Sequence, residues 1–321
     1  MKRALILGVT GQDGQFLSDI LIREGYSVLG LSRNIPKWHL NPLNLLRPLH
    51  VIGDVSDYSS LRSVVENFQP NEIYNLSGES SVAESFRFPG ETTKSVAIGA
   101  INLFNTVREL TLESKVKIFQ AGSSDMFGNS SYPLTEKSAF NPKSPYAISK
   151  YVAYKVAIEY RASFGLWISN GLLFNHESEL RPSHFVFPKI INSLVDVHLG
   201  KLPRITLGNL GVSRDWGYAR DYAEGIYRTL RFDRPEDFVL STGKSHSLID
   251  IIRKGMELLE IKVSFDDLVV CDPTLIRPID VEVSQGNSAF AKEKLGWEAR
   301  THFDELVSKM IAFSLKQKSG K

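Results

Sequence analysis

"RALILGVTGQDGQFLSDILIREGYSVLGLSR", residues 3 to 33, decides the fold. It opens on a short apolar run, passes three glycines, and continues with Phe16, Leu17, Ile20 and Leu21 at the spacing of one helix face. "YSVLGLSR" then reads as a second strand, so the stretch is a βαβ unit. Further apolar runs follow at "HVIGD" (50–54), "EIYNLSG" (72–78), "KVKIFQA" (115–121) and "WISNGLLFN" (167–175), separated by longer stretches with helical patterning. The alternation predicts an α/β protein, a doubly wound parallel sheet of Rossmann-like type with helices on both faces. Past about residue 175, Pro182, Pro188, Pro203 and Gly208 are expected to interrupt shorter elements. "KEKLGWEARTHFDELVSKMIAFSLK" closes the chain with an amphipathic helix. The expected division is a dinucleotide-binding domain of residues 1–175 and 213–244, interleaved with a smaller α/β substrate lobe of residues 176–212 and 245–321.

A chain of 321 residues can bury a large core. Its net charge of +2 is too small to imply a nucleic-acid or membrane surface, which points to a small-molecule partner. The single cysteine, Cys271, excludes an intrachain disulfide framework and suits a reducing compartment. The first apolar run is broken by glycines within a few residues, which argues against a signal peptide or a membrane span, so a cytoplasmic protein is expected. No metal site is expected: the seven histidines are scattered, and "HESEL" is not HExxH.

Gly8, Gly11 and Gly14 stand at the spacing GxxGxxG between a strand and a helix. Glycine there lets the backbone turn tightly and approach a pyrophosphate, whose charge the helix N-terminus stabilises. At the end of the second strand, Arg33 follows Ser32 where an acidic residue would hold a ribose hydroxyl. A guanidinium suits a 2′-phosphate, so NADP is expected over NAD, the alternative being a solvated surface arginine. Asp54 is expected either to contact the adenine or to cap the helix beginning near Tyr58.

In "KSPYAISKYVAYKVAIEYRASFG" (143–165), Ser144 and Pro145 read as N-cap and first helical residue, which puts Tyr146 and Lys150 on one face of the first turns. A tyrosine titrates near about 10 and is a poor base at neutral pH. An adjacent ammonium, the helix N-terminus and an oxidised nicotinamide would each favour its phenolate. Some twenty residues upstream, "GSSDMFG" (122–128) places two hydroxyls and a carboxylate directly after a strand. A Tyr/Lys pair alone is usually structural; with the glycine turn and this loop it points to proton chemistry.

These motifs resemble the extended short-chain dehydrogenase/reductase family. Within it the chain is similar to the GDP-mannose 4,6-dehydratases nearly end to end, through "GVTGQDGQFL", "IYNLSGESSV", "SPYAISK", "GLLFNHESELRPSHFVFPKI", "LGNLGVSRDWGYARDY", "LSTGKSHS", "DPTLIRPIDVEV" and "AKEKLGW". The resemblance implies a redox-neutral lyase that acts on a GDP-sugar with tightly held NADP. Tyr146 would take the C4 hydroxyl proton, Lys150 would tune it and bind the nicotinamide ribose, and Ser123 would hydrogen-bond the C4 oxygen. Asp125 would take the C5 proton and assist loss of the C6 hydroxyl. The turn from Gly8 to Gly14, with Thr10, Gln12 and Asp13, would hold the cofactor, joined by Arg33, Asp54 and Arg181. Asn175, Lys189, Arg214 and Arg277 would hold the nucleotide and its diphosphate, and Glu282 the ribose.

Two departures qualify that reading. The family carries glutamate where this chain has Asp125, and a displacement of about 1 Å in a catalytic group can cost on the order of 100-fold in rate. A reductase of a nucleotide-linked 4-keto-6-deoxy sugar needs no such base and is the alternative reading; a non-catalytic NADP sensor is a third. Arg181 matches half of a double-arginine loop that reaches a neighbouring subunit in the family, and Leu180 replaces its partner. A homodimer through the helix bearing Tyr146, or a homotetramer, is the expected assembly.

Overall fold

The computed structural model describes residues 1–36, 43–113, 115–275 and 281–319. The stretch quoted first folds as β1 (Arg3–Leu7), α1 (Gln12–Arg23) and β2 (Ser27–Ser32), with the two strands parallel. The chain continues through β3 (Leu49–Ile52), α2 (Tyr58–Phe68), β4 (Glu72–Asn75), α3 (Val82–Arg87), α4 (Pro89–Thr93) and α5 (Gly99–Glu109). Next come β5 (Lys117–Ala121), α6 (Pro145–Phe164), β6 (Trp167–Leu173), β7 (His176–Glu177), α7 (Val186–His198), β8 (Ile205–Leu207), β9 (Ser213–Asp215) and β10 (Gly217–Tyr218). The remainder holds α8 (Ala219–Thr229), β11 (Phe238–Leu240), β12 (Ser245–Ser247), α9 (Leu248–Leu258), α10 (Phe265–Leu268), β13 (Val269–Cys271), β14 (Val283–Ser284), α11 (Ala289–Leu295) and α12 (Phe303–Lys318).

Seven strands form one parallel sheet in the order β3-β2-β1-β4-β5-β6-β11. β1 shows why its sequence is a strand: Ala4 and Ile6 enter the core on one face of the sheet, while Leu5 and Leu7 enter the core on the other. A strand covered on both sides needs apolar residues at both parities, so the run reads as continuous rather than alternating. The order reverses between β1 and β4, and the loops leaving their C-terminal ends diverge into a crevice, the usual ligand site of an open α/β sheet.

A third core lies away from the sheet. Phe187, Ile190 and Leu194 of α7 pack there with Ile251 and Ile252 of α9 and with Leu306, Val307 and Met310 of α12. Pro188 does not interrupt this region as expected from sequence. It occupies the first turn of α7, where a backbone N–H has no intrahelical partner to lose. β11 was absent from the strands expected from sequence, because three residues after a run of charges carry no periodicity. Among the described residues no helix is long and apolar enough to cross a membrane.

Candidate active site

Gly8 has φ +86°, and a Cβ there would lie 2.8 Å from the Leu76 carbonyl oxygen. At Gly14 a Cβ would come within 2.7 Å of the Gly8 oxygen and the Val9 Cα, so this glycine lets α1 pack onto the turn. Gly11 is different: a Cβ would meet nothing nearer than the Gly8 oxygen at 3.4 Å. The fold therefore does not need glycine at position 11, which leaves close approach by a ligand as its use. No side chain caps α1, so the amides of its first turn remain available to an anion. They open on a cleft of about 290 Å³ that Thr10, Gln12, Asp13, Arg33 and Asp54 also line. Arg33 is exposed there and makes no ion pair with the described residues. Asp57, not Asp54, caps α2 by accepting from the Ser60 amide, while one oxygen of Asp54 is bound by the amide and hydroxyl of Ser56.

Ser123, Asp125, Tyr146 and Lys150 line one cavity of about 120 Å³. β5 ends against β6, and Met126 and Phe127 anchor the 3₁₀ turn Ser124–Phe127, with Phe127 stacked on Phe140. Ser123 caps this turn: its hydroxyl accepts from the Asp125 amide at 3.2 Å and lies 3.4 Å from a carboxylate oxygen of Asp125. Ser144 caps α6 through the Ala147 amide and Pro145 opens it, as read from sequence. Lys150 donates to the Ala121 carbonyl at 3.0 Å, which ties α6 to the end of β5. Its ammonium lies 5.9 Å from the centre of the Tyr146 ring.

Burial dominates the electrostatics of Tyr146 and Lys150. Burial pushes the Tyr146 phenol well above its ordinary value, the Asp125 charge adds to this, and Ser123 and Arg181 oppose it. Burial likewise pushes Lys150 down to about 8, against the pull of Asp13. Desolvation of the charged form outweighs the opposing hydroxyl of Ser123 and charge of Arg181.

His176 is a residue that sequence reasoning passed over. Nε2 sits 3.0 Å from both carboxylate oxygens of Asp13, and Nδ1 sits 2.6 Å from the Phe174 carbonyl. Both nitrogens face acceptors, an arrangement that favours the doubly protonated ring. Burial opposes this charge, but Asp13 and the Phe174 carbonyl overcome it and raise the histidine above its ordinary value. Burial also opposes the charge of Asp13, yet His176, with smaller help from Arg181 and Lys150, holds that carboxyl low. Gln12 completes the dock: its amide donates to the His176 carbonyl and accepts from the Ser178 hydroxyl.

The stabilisation from raising His176 is complete below its ordinary value of about 6.5 and fades as pH rises through the raised one. That from lowering Asp13 is complete above about 3.9 and is lost as pH falls through the depressed value. His176→Gln leaves Asp13 buried without its cation. The expected loss in Tm is on the order of 5 °C near pH 6, narrowing as pH rises past the raised histidine value. A loss independent of pH, measured by thermal melts, would assign the effect to packing on Tyr222, whose ring stacks on His176 at 4.4 Å.

Asn175, Lys189 and Arg214 line a larger cavity of about 350 Å³, which Asp125 also reaches. Arg214 is nearly buried on β9. Glu282 is exposed and outside the cavity lining, its carbonyl accepting from the Ser213 amide. Arg277 lies outside the described residues. Arg181 and Ser80 line all three cavities, so the small one stands between the glycine-rich cleft and the larger cavity.

The family model for GDP-mannose 4,6 dehydratase matches residues 5–310. The chain is 40% identical to GDP-mannose 4,6 dehydratase 2 of Arabidopsis thaliana, across 97% of this chain and 86% of that one. The chain belongs to the GDP-mannose 4,6-dehydratase family. The human GDP-mannose 4,6 dehydratase is 35% identical, with 96% of this chain and 90% of that one covered. Among solved structures, the fold of this GDP-mannose 4,6-dehydratase family member is shared by UDP-glucose 4-epimerase of Thermotoga maritima, with TM-score 0.85, 20% identity and 99% and 100% of the chains covered. It is shared too by dTDP-glucose 4,6-dehydratase of Bacillus anthracis, with TM-score 0.82, 18% identity and 99% and 98% covered.

Proposed function

We propose that this chain removes water from the hexose of GDP-mannose to give a 4-keto-6-deoxy sugar, using NADP held in the glycine-rich cleft. The observation that carries the reading is the single cavity lined by Ser123, Asp125, Tyr146 and Lys150, set between that cleft and a larger cavity with basic side chains. The bare Gly11, the uncapped start of α1 and Arg33 fit a phosphorylated dinucleotide. A guanidinium at the end of β2, where an acidic residue would hold a ribose hydroxyl, favours NADP over NAD. Asn175, Lys189 and Arg214 suit a nucleoside diphosphate.

When bound, NADP supplies reversible hydride transfer at its nicotinamide. Tyr146 accepts the C4 hydroxyl proton while Ser123 holds the C4 oxygen, and Lys150, fixed on the Ala121 carbonyl, supplies positive charge beside the phenol. Asp125 then takes the C5 proton, made acidic by the C4 ketone, and passes it to the C6 hydroxyl, which leaves as water as the C5–C6 double bond forms. Return of the hydride to C6 and of one proton, equal to that taken by Tyr146, to C5 completes the 4-keto-6-deoxy sugar. Asp125 is close enough for its charge to act on Tyr146, which supports dehydration over the reductase reading. The residues 1–175 and 213–244 would bind the dinucleotide, and residues 176–212 and 245–321 the sugar nucleotide. The apolar side chains Ile148 and Val152, exposed on α6, support a homodimer through that helix.

Purified protein given GDP-mannose and no added nicotinamide is expected to yield a product lighter by one water, read by mass spectrometry, and to release NADP on denaturation. Net consumption of added NADPH with a keto sugar, and no dehydrated product from GDP-mannose, would replace this reading by the reductase.

A further inference from the structure

Glu177 is 2% exposed and belongs to β7, which pairs with β10. Among the described residues its carboxylate receives no hydrogen bond: Oε2 is fully buried and unpartnered, and it is ion-paired with Arg181 Nε at 3.5 Å. Arg181 Nε is itself buried without a hydrogen bond, and its guanidinium lies flat on the Phe185 ring at 3.6 Å. Both side chains line the larger cavity, alongside Asp125 and Asn175. Buried charges in a native fold are normally hydrogen-bonded as well as paired, and a pair left short of partners at a cavity wall is completed by what enters the cavity.

We propose that Glu177 is a positioning residue for the sugar: its carboxylate accepts a hydrogen bond from a ring hydroxyl of the hexose, and Arg181 holds it in place. This rests on the reading of the larger cavity as the site of a nucleotide sugar. The ligand chemistry follows from the group. An ionised carboxylate only accepts, so its partner is a donor such as a hydroxyl, and the phosphates and their basic partners belong to the Lys189 and Arg214 end. Burial raises Glu177 to about 7, opposed by Arg181 on the following loop and His176 beside it, with Asp13 of α1 adding to the rise. The facing strand β10 brings Tyr218, whose hydroxyl is turned to Glu179 rather than to Glu177. Ionisation of Glu177 therefore falls within an accessible pH range, and sugar binding strengthens as pH rises through it.

The test uses the NADP-loaded enzyme, with KM for GDP-mannose measured from pH 6 to 9 and Kd for GDP-mannose and for GDP, which lacks the hexose, measured by calorimetry. In the wild type, KM falls several-fold as pH rises through about 7. Glu177→Gln is expected to raise KM and the Kd for GDP-mannose by about tenfold at pH 8, to flatten the KM profile, and to leave the Kd for GDP within twofold. Glu177→Asp retains the charge and is expected to keep the pH-dependent KM at an intermediate value, which covers the case in which the glutamine variant does not fold. An unchanged KM profile in Glu177→Gln, or an equal weakening of GDP and GDP-mannose, would overturn the proposal and leave Glu177 a structural partner of Arg181. The calorimetric difference between the two ligands remains readable if GDP-mannose binds without turnover, so failure of the dehydratase reading is seen separately.

Discussion

Tyr146→Phe is expected to lower kcat for dehydration of GDP-mannose by about 10³-fold, with KM changed less than threefold. The phenol is the group proposed to take the C4 hydroxyl proton and return it, and phenylalanine keeps the ring while removing that ability. Tyr146 starts neutral, because burial and the Asp125 charge hold its proton on. Positive charge beside the phenol favours its proton transfer, and the cations that the fold sets near it are Arg181 and Lys150, the latter 5.9 Å from the ring centre. The deleted interaction is thus one strengthened in the transition state, which places the loss in kcat. A comparable loss in KM, or kcat retained within tenfold, would remove Tyr146 from the proton path.

Asp125→Asn is expected to lower dehydration by a further large factor, about 10²- to 10³-fold, because an amide cannot take the C5 proton. Asp125→Glu is expected to match or exceed the wild type. Aspartate is one methylene shorter than glutamate, and its turn is set by the Ser123 cap and the buried Met126 and Phe127. A longer acid on that rigid turn reaches further into the same cavity. Collapse of activity in the glutamate variant, measured by product mass, would mean that the backbone has already moved to suit the shorter side chain. Retention of activity in the asparagine variant would exclude Asp125 as the base.

Much of this site was readable because its signals are local. The GxxGxxG turn, the Ser144 cap and the Tyr146–Lys150 spacing each lie within one turn or helix, where neighbours in sequence are neighbours in space. Local caps still misled at α2, where Asp57 does the work considered for Asp54. His176 and Glu177 were beyond reach for a different reason. Their chemistry depends on Asp13, more than 160 residues away, and on a loop that turns back over α1. "HES" carries no periodicity that would announce a buried histidine beside a buried carboxylate. The sheet was legible strand by strand except at β11, whose three residues are a strand only because β6 offers an open edge. The desolvation of Tyr146 was likewise beyond sequence, because only a three-dimensional cavity reveals it.

The third core has a consequence for how the molecule comes into being on the ribosome. Phe187 and Ile311 share one apolar cluster, and α7 has no apolar partner of comparable extent until α9 and α12 have been made. The parallel sheet can gather from the first three quarters of the chain, which end with β11, whereas the third core waits for the final helix to emerge. A nascent chain stopped before α12 would therefore carry an exposed apolar face on α7 and an unfinished third core beside a completed sheet.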